Sequence, residues 1–479
     1  MFAFAQTTLL ETLASRKTVG TIVNADQIRI NGAPKSVAAS NLLAYVEQQD
    51  VHLPTATVRE ALEFSAKLRL PPTVDAETRH AFVISVMELV GLTTVANRLV
   101  GNAASPSLSS GQLKLLTIAV ELVANPSILF LDEPTSGLDS DTSLRIMSVL
   151  QRIAETGRTI VATIHQPSEA VFSMFDRLLL LKRGGEVAYF DEIGMEATQL
   201  IGYLSAVSDN VLPYTPLLAP ANWMLDIVAL DSTKIHTKDS AGLNLAEAWR
   251  NSERAVAATR TIELLSAVSL DSPTSSVASP VLSDWSRVCW VTRRLLVSHW
   301  RSPSLNLSRC GFLFLLGVAL GCIYFQSEVR SYAGMSSLLG AVFLGICLPS
   351  SIGSQAALSS FYAARPVVIR ERSVGMYGPQ CNSLAMSLVE LPYLFLGTLC
   401  FLVPFYTLVG LDPSVAGFSS FLLPSYLLVL FFHSFDQLLL AWSPSLTLAQ
   451  SVGGASIDFL WAFGGCFIKP HAIPTGWRW

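Results

Sequence analysis

The hydrophobic positions follow two regimes along the chain. Up to about Arg301 they fall in short runs or at helical spacing among ordinary densities of charge, and beyond it they merge into long apolar stretches. In the first regime, Ser127–Leu131 and Thr159–Thr163 are the short continuous apolar runs of buried strands. Between Asp75 and Val100 the residues Val83, Val86, Met87, Val90 and Leu92 recur at helical spacing. TIVNADQIRINGAP alternates and ends in Asn-Gly, which predicts a hairpin, and RLLLLKRGGEVAYFD predicts another turning at Gly184 and Gly185. The serine-rich SAVSLDSPTSSVASP then reads as a flexible linker.

In the second regime the pattern predicts five membrane spans, near 305–326, 333–355, 388–411, 418–442 and 448–468, each close to the length a bilayer demands. Ahead of them DWSRVCWVTRRLLVSHWRSP, with its Trp and Arg residues, suits a helix lying at headgroup level. The chain therefore divides into a first domain over 1–200, a linker over 201–284 and a membrane domain over 285–479.

Composition sharpens this picture. Of 479 residues 51% are hydrophobic and only 14% charged, against about 25% charged in ordinary soluble domains. The net charge of −4 and the lack of Lys/Arg runs give no reason to expect nucleic acid. All seven cysteines lie between Cys289 and Cys466 without CxxC spacing, so they read as packing residues and not as metal ligands. Arg287, Arg293, Arg294 and Arg301 precede the first span, Arg309 stands at its start just ahead of the apolar run Cys310–Phe325, and Arg365, Arg370 and Arg372 stand between the second and third. The alternate loops carry only Glu328 with Arg330, then Asp412, which places the N-terminal domain in the cytoplasm. Glu390, His433, Asp436 and Asp458 are ionisable at membrane depth, where such groups usually face a bundle interior.

Chemistry concentrates at the ends of the two predicted strands. The first delivers Asp132 and Glu133 to its carboxyl end, where α/β sheets bind ligands. Paired carboxylates there suit magnesium chemistry: Asp132 holding the ion, Glu133 orienting or deprotonating a water. The second strand ends near His165, which can hydrogen-bond a terminal phosphate.

The order LSSGQ, LFLDEP, TSGLD and then a strand ending in HQP resembles the ATPase domain of an ABC transporter. DEPTSGLD beside TIHQPS resembles the G subfamily, and AVELVANPS its pleiotropic-drug-resistance branch. The fold this implies is an α/β P-loop-type ATPase domain, N-terminally incomplete, followed by an all-α transmembrane helical bundle. The resemblance implies ATP and Mg2+ as cofactors. It makes Ser109, Ser110, Gly111 and Gln112 the signature turn facing a partner's ATP, and Asp139 the residue of the loop that crosses the dimer. Glu133 is then the hydrolytic carboxylate, His165 the γ-phosphate switch, and Thr7, Gln48 and Asp132 the nucleotide and magnesium residues, with Gln49 as the other register for the glutamine. TTLLETLASRK resembles the helix after the family's phosphate loop, which puts Gln6 at the lysine position. No glycine occurs before Gly20, so the glycine-rich loop and the first strands are expected to be missing. The ending IPTGWRW resembles the segment just after a fifth span, so a sixth is expected to be missing too.

The resemblance implies ATP-driven export of amphipathic small molecules or lipids by one half of a transporter. A second ABC half is its partner, the protein is multi-pass in the plasma membrane, and the stretch near Arg370–Arg372 relays nucleotide-driven movement to the spans. Two other readings remain: a non-hydrolysing subunit that completes another half's ATP site, and a nonfunctional fragment.

Overall fold

The computed structural model describes residues 3–16, 28–30, 33–34, 42–102, 105–182, 184–207, 213–215, 218–232, 244–267, 282–326 and 331–463. They form two compact units, divided between Leu282 and Ser283.

The centre of the first unit is a three-stranded parallel sheet in the order β1 (Leu43–Val46), β2 (Ile128–Leu131), β3 (Thr159–Ala162). The register pairs Val46 with Leu131 and Leu131 with Ala162, so the three strands end side by side. Helix α1 (Ala3–Leu13) places Leu10 against Leu43, Tyr45 and Phe130 on one face of the sheet. On the other, α2 (Val58–Arg69), α3 (Ala76–Val90), α4 (Ser110–Leu122) and α5 (Ser140–Glu155) enclose a core with Val46, Leu62, Val83, Leu116, Leu129 and Leu150. Their starts are written in the sequence. Thr57 with Glu60 and Ser109 with Gln112 form capping boxes, while Asp75 and Asp139 cap α3 and α5. Of the first expected hairpin, Arg29–Ile30 pairs antiparallel with Ala33–Pro34, and its Asn-Gly turn lies outside the described residues.

The second hairpin forms as expected between β4 (Arg177–Leu181) and β5 (Val187–Glu192), and Gly184 and Gly185 both adopt the positive φ its turn needs. Beyond it, the stretch over 201–284 differs from the expected linker. Helices α6 (Thr198–Ala206), α7 (Pro220–Ser232), α8 (Leu245–Arg250) and α9 (Glu253–Ala267) occupy much of it. Leu204, Trp223, Met224, Ile227, Leu245 and Trp249 share a core with Tyr189 of β5, and Arg254 pairs with Asp191 at 2.6 Å. The reason is apolar content: this stretch carries enough large side chains to bury, and the serine-rich run hid that from a composition reading. Most of that run, from 268 on, lies outside the described residues.

The second unit is helical: α10 (Asp284–Trp300), α11 (Pro303–Ile323), α12 (Tyr332–Ala356), α13 (Leu358–Ser373), α14 (Pro379–Val409), α15 (Val415–Trp442) and α16 (Leu446–Ala462). Among the described residues four stretches are long and apolar enough to cross a membrane: Asn306–Ile323, Tyr332–Ser373, Pro379–Val409 and Val415–Trp442. The fifth expected span falls on α16, 17 residues long, with 464–468 outside the described residues, as are Glu328, Arg330 and IPTGWRW. Arg365, Arg370 and Arg372, expected in a loop, lie instead on helix α13, which follows α12 with a break of one residue. A helix, α10, forms over the stretch expected at headgroup level and is held to α13 by a two-pronged Arg294–Glu371 pair at 2.5 and 2.7 Å.

Packing of α11 on α14 depends on small residues, as expected where lipid offers no hydrophobic drive. A Cβ on Gly317 would collide with the Phe401 carbonyl, and one on Gly321 would stand 2.7 Å from Leu408. Phe312, Leu315, Leu339 and Leu423 are exposed on the outside of the unit, a surface suited to acyl chains.

Candidate nucleotide site

The parallel register brings the site together. Because β1, β2 and β3 end in line, Tyr45 of β1, Asp132 just past β2 and Thr163 just past β3 become neighbours. Asp132 is 5% exposed. Its Oδ1 accepts from the Thr163 hydroxyl at 2.8 Å and from the Thr7 hydroxyl of α1 at 3.1 Å, and its Oδ2 accepts from the Tyr45 hydroxyl at 3.1 Å. Burial, and then the Asp132 charge, push the Tyr45 phenol well above its ordinary pKa.

Glu133 is next, in a left-handed conformation, φ +47°, which costs an L-residue roughly 1–2 kcal/mol. Thr163 holds it there: the hydroxyl that donates to Asp132 also accepts from the Glu133 N–H at 2.9 Å. The turn re-aims the carboxylate. Gln48 donates from Nε2 to Glu133 Oε2 at 2.7 Å, and His165 Nε2 lies 3.4 Å from Glu133 Oε1. Strain of this kind belongs with functional positions. Of the two adjacent glutamines considered for this place, Gln48 is the one that reaches Glu133.

The signature residues stand elsewhere on the unit, at the start of α4. The Ser109 hydroxyl accepts from the Gln112 N–H at 3.2 Å, and Gln112 Oε1 accepts from the Ser109 N–H at 3.0 Å. Ser110 is exposed in the first turn. Gly111 is buried against α5: a Cβ there would meet Thr142 Cγ2 at 2.5 Å. Asp139 caps that same helix by accepting from Thr142 N–H at 3.1 Å, and hydrogen bonding from Thr142 lowers its pKa. The signature turn therefore packs on the first turn of the helix that Asp139 caps.

Tyr45 and Thr163 are missed when residues are read in sequence alone. The signal lay in the strands, since each hydroxyl belongs to the run that flanks the Asp132 strand. The donor set suits magnesium: a buried carboxylate with hydroxyls beside it, all hard oxygen ligands. Among the described residues no group of three or more His, Cys, Asp or Glu could hold a metal ion.

Two family models match in succession, one described as ABC transporter over residues 6–136 and one as ABC-2 type transporter over 286–479. The chain belongs to the ABC transporters of the G family. Within that family it is 37% identical to ABC transporter G family member 32 of Arabidopsis thaliana, over 99% of this chain and 33% of the relative. It is 35% identical to ABC transporter G family member 49 of Oryza sativa subsp. japonica over 99% of this chain and 32% of that protein. It is also 34% identical to pleiotropic drug resistance protein TUR2 of Spirodela polyrhiza, over 99% and 33%. This G-family chain thus spans about a third of the length of the curated relatives it matches. A solved post-hydrolysis dimer of an ATP-binding cassette with ADP and Pi overlays with a TM-score of 0.31 at 25% identity, covering 40% of this chain and 81% of that one.

Proposed function

We propose that this chain is the ATPase-plus-membrane half of an ATP-driven exporter of amphipathic small molecules or lipids, working with a second ABC half in the plasma membrane. One observation carries the reading. Thr7, Gln48, Asp132, Glu133 and His165, from separate parts of the chain, converge at the carboxyl edge of one parallel sheet, and the described residues include four helices long and apolar enough to cross a bilayer.

In this reading Thr7 and Asp132 hold Mg2+, which supplies positive charge opposite the phosphates. Glu133, its conformation set by Thr163 and its carboxylate held by Gln48, accepts a proton from the attacking water, and His165 donates to the γ-phosphate. The Ser109–Gln112 turn offers to the nucleotide held by the partner half those first-turn N–H groups of α4 that its capping box does not use. Asp139 lies beside that turn on the crossing loop.

A second reading is favoured by Gln6. It directly precedes Thr7 on α1 and is uncharged where the family's phosphate loop places a lysine, which suits a subunit that completes its partner's site without hydrolysing at its own.

ATPase assays on the full chain in lipid nanodiscs, with and without a hydrolysing G-family half, separate the two. MgATP turnover that falls about a hundredfold or more in Glu133→Gln supports the hydrolysing half. No turnover alone, and a stimulated partner whatever stands at Glu133, supports the second reading. Absence of the chain from membranes contradicts both.

A further inference from the structure

We propose that Lys114 is a positioning residue that ties the signature helix to the glutamine loop, so that the start of α4 and the Glu133 carboxylate move together. The inference rests on the nucleotide reading above. Lys114 sits five residues past Ser109, about 8 Å along the helix at 1.5 Å per residue, with its side chain only 3% exposed. An ammonium taken out of water at that depth is costly unless fully partnered. Its Nζ donates to the Gln48 carbonyl at 2.8 Å and pairs with Asp50 Oδ1 at 2.9 Å.

The same helix grips the loop again one turn on. The Thr117 hydroxyl donates to Asp50 Oδ1 at 2.6 Å, and His52 Nε2 lies 2.8 Å from Thr117 Oγ1. Gln48 and Gln49 are themselves exposed and belong to no strand or helix, so the Gln48 backbone takes its position from these bonds. The Gln48 side chain then carries the connection to Glu133 at 2.7 Å. A continuous path results: the Ser109–Gln112 turn, Lys114, Gln48, Glu133, His165. A turn that senses one nucleotide is thereby joined to the carboxylate that acts on another.

Hydrogen–deuterium exchange on the full chain in lipid nanodiscs tests the tie, comparing the unsubstituted chain with Lys114→Met and Lys114→Arg, each with and without MgATP. Without nucleotide, exchange across 48–52 is expected to rise about tenfold or more in Lys114→Met, the scale of losing a charge-assisted bond. The β2 strand at 128–131 stays unchanged, and Lys114→Arg restores much of the protection. With MgATP, exchange at 48–52 slows in the unsubstituted chain and in Lys114→Arg but not in Lys114→Met. Unchanged exchange at 48–52 in Lys114→Met overturns the proposal. So does a rise that extends to β2, because Lys114 would then serve the fold in general. A chain whose exchange ignores MgATP altogether counts against the nucleotide reading, and the nucleotide-free comparison still decides the tie.

Discussion

Two buried carboxylates, one in each unit, are treated in opposite ways. Glu390 of α14 is met by a full positive charge: Arg309 of α11 lies 2.9 Å away, both side chains are 2% exposed, and His299 approaches to 3.7 Å. Asp132 is met by three neutral hydroxyls, those of Thr7, Tyr45 and Thr163. Hydroxyls orient a carboxylate without cancelling its charge. Among the described residues the first carboxylate faces a full countercharge, and the second faces hydroxyl donors alone. Under the proposed function, that contrast separates a carboxylate that holds helices together from one that takes a metal ion.

The largest expected effect breaks the Arg309–Glu390 pair. Glu390→Ala strands the Arg309 guanidinium among apolar helices, and removing one partner of a buried pair costs about 3–5 kcal/mol. Thermal unfolding in detergent should show a steep loss of stability, and an added Arg309→Met should recover most of it. A double variant no better than the single one would break the comparison.

Next in size is Gly111→Ala, which presses a methyl onto Thr142 and should cost about 1–3 kcal/mol as overpacking. The accompanying Thr142→Ala should relieve it, and the melting temperatures of the single and double variants check this. Equal melting temperatures for the two variants would mean that the signature turn and the helix Asp139 caps do not press on each other.

The smallest effect concerns Tyr45. Its phenol titrates above the ordinary value of about 10 because it is buried beside Asp132. Above pH 10 the unfolded chain releases that proton while the folded chain keeps it, so the unfolded state binds fewer protons and stability falls as pH rises. The contribution is complete below about pH 10 and declines between there and the raised folded value. Tyr45→Phe should flatten that alkaline decline in a pH series of melting temperatures.

Much of this was legible in the sequence because local rules were obeyed. The apolar runs at Ser127–Leu131 and Thr159–Thr163 became neighbouring parallel strands, and the Asp-Glu pair fell where such strands bind ligands. Thr57, Asp75, Ser109 and Asp139 each cap the helix that follows them, as such side chains do by local rule. What could not be read depends on contacts between distant segments. Tyr45 looks like one more apolar strand residue until register sets it beside Asp132, and Lys114 looks like a surface charge until α4 turns it towards Asp50. The helices over 220–267 were obscured because serine and proline around them lowered the apparent hydrophobicity, although Trp223 and Trp249 marked buried positions. Arg365, Arg370 and Arg372 suggested a loop by charge alone, yet Arg370 is buried in α13, where Glu371 answers Arg294.

The central claim of the proposed function is that Asp132 takes its countercharge from a metal ion bound together with nucleotide. Electron paramagnetic resonance of Mn2+, substituted for Mg2+, on the full chain in nanodiscs measures this directly. The account predicts ATP-dependent Mn2+ binding that disappears in Asp132→Asn while the melting temperature of the variant holds. Mn2+ binding that Asp132→Asn leaves intact, or that the unsubstituted chain never shows with ATP, would contradict it.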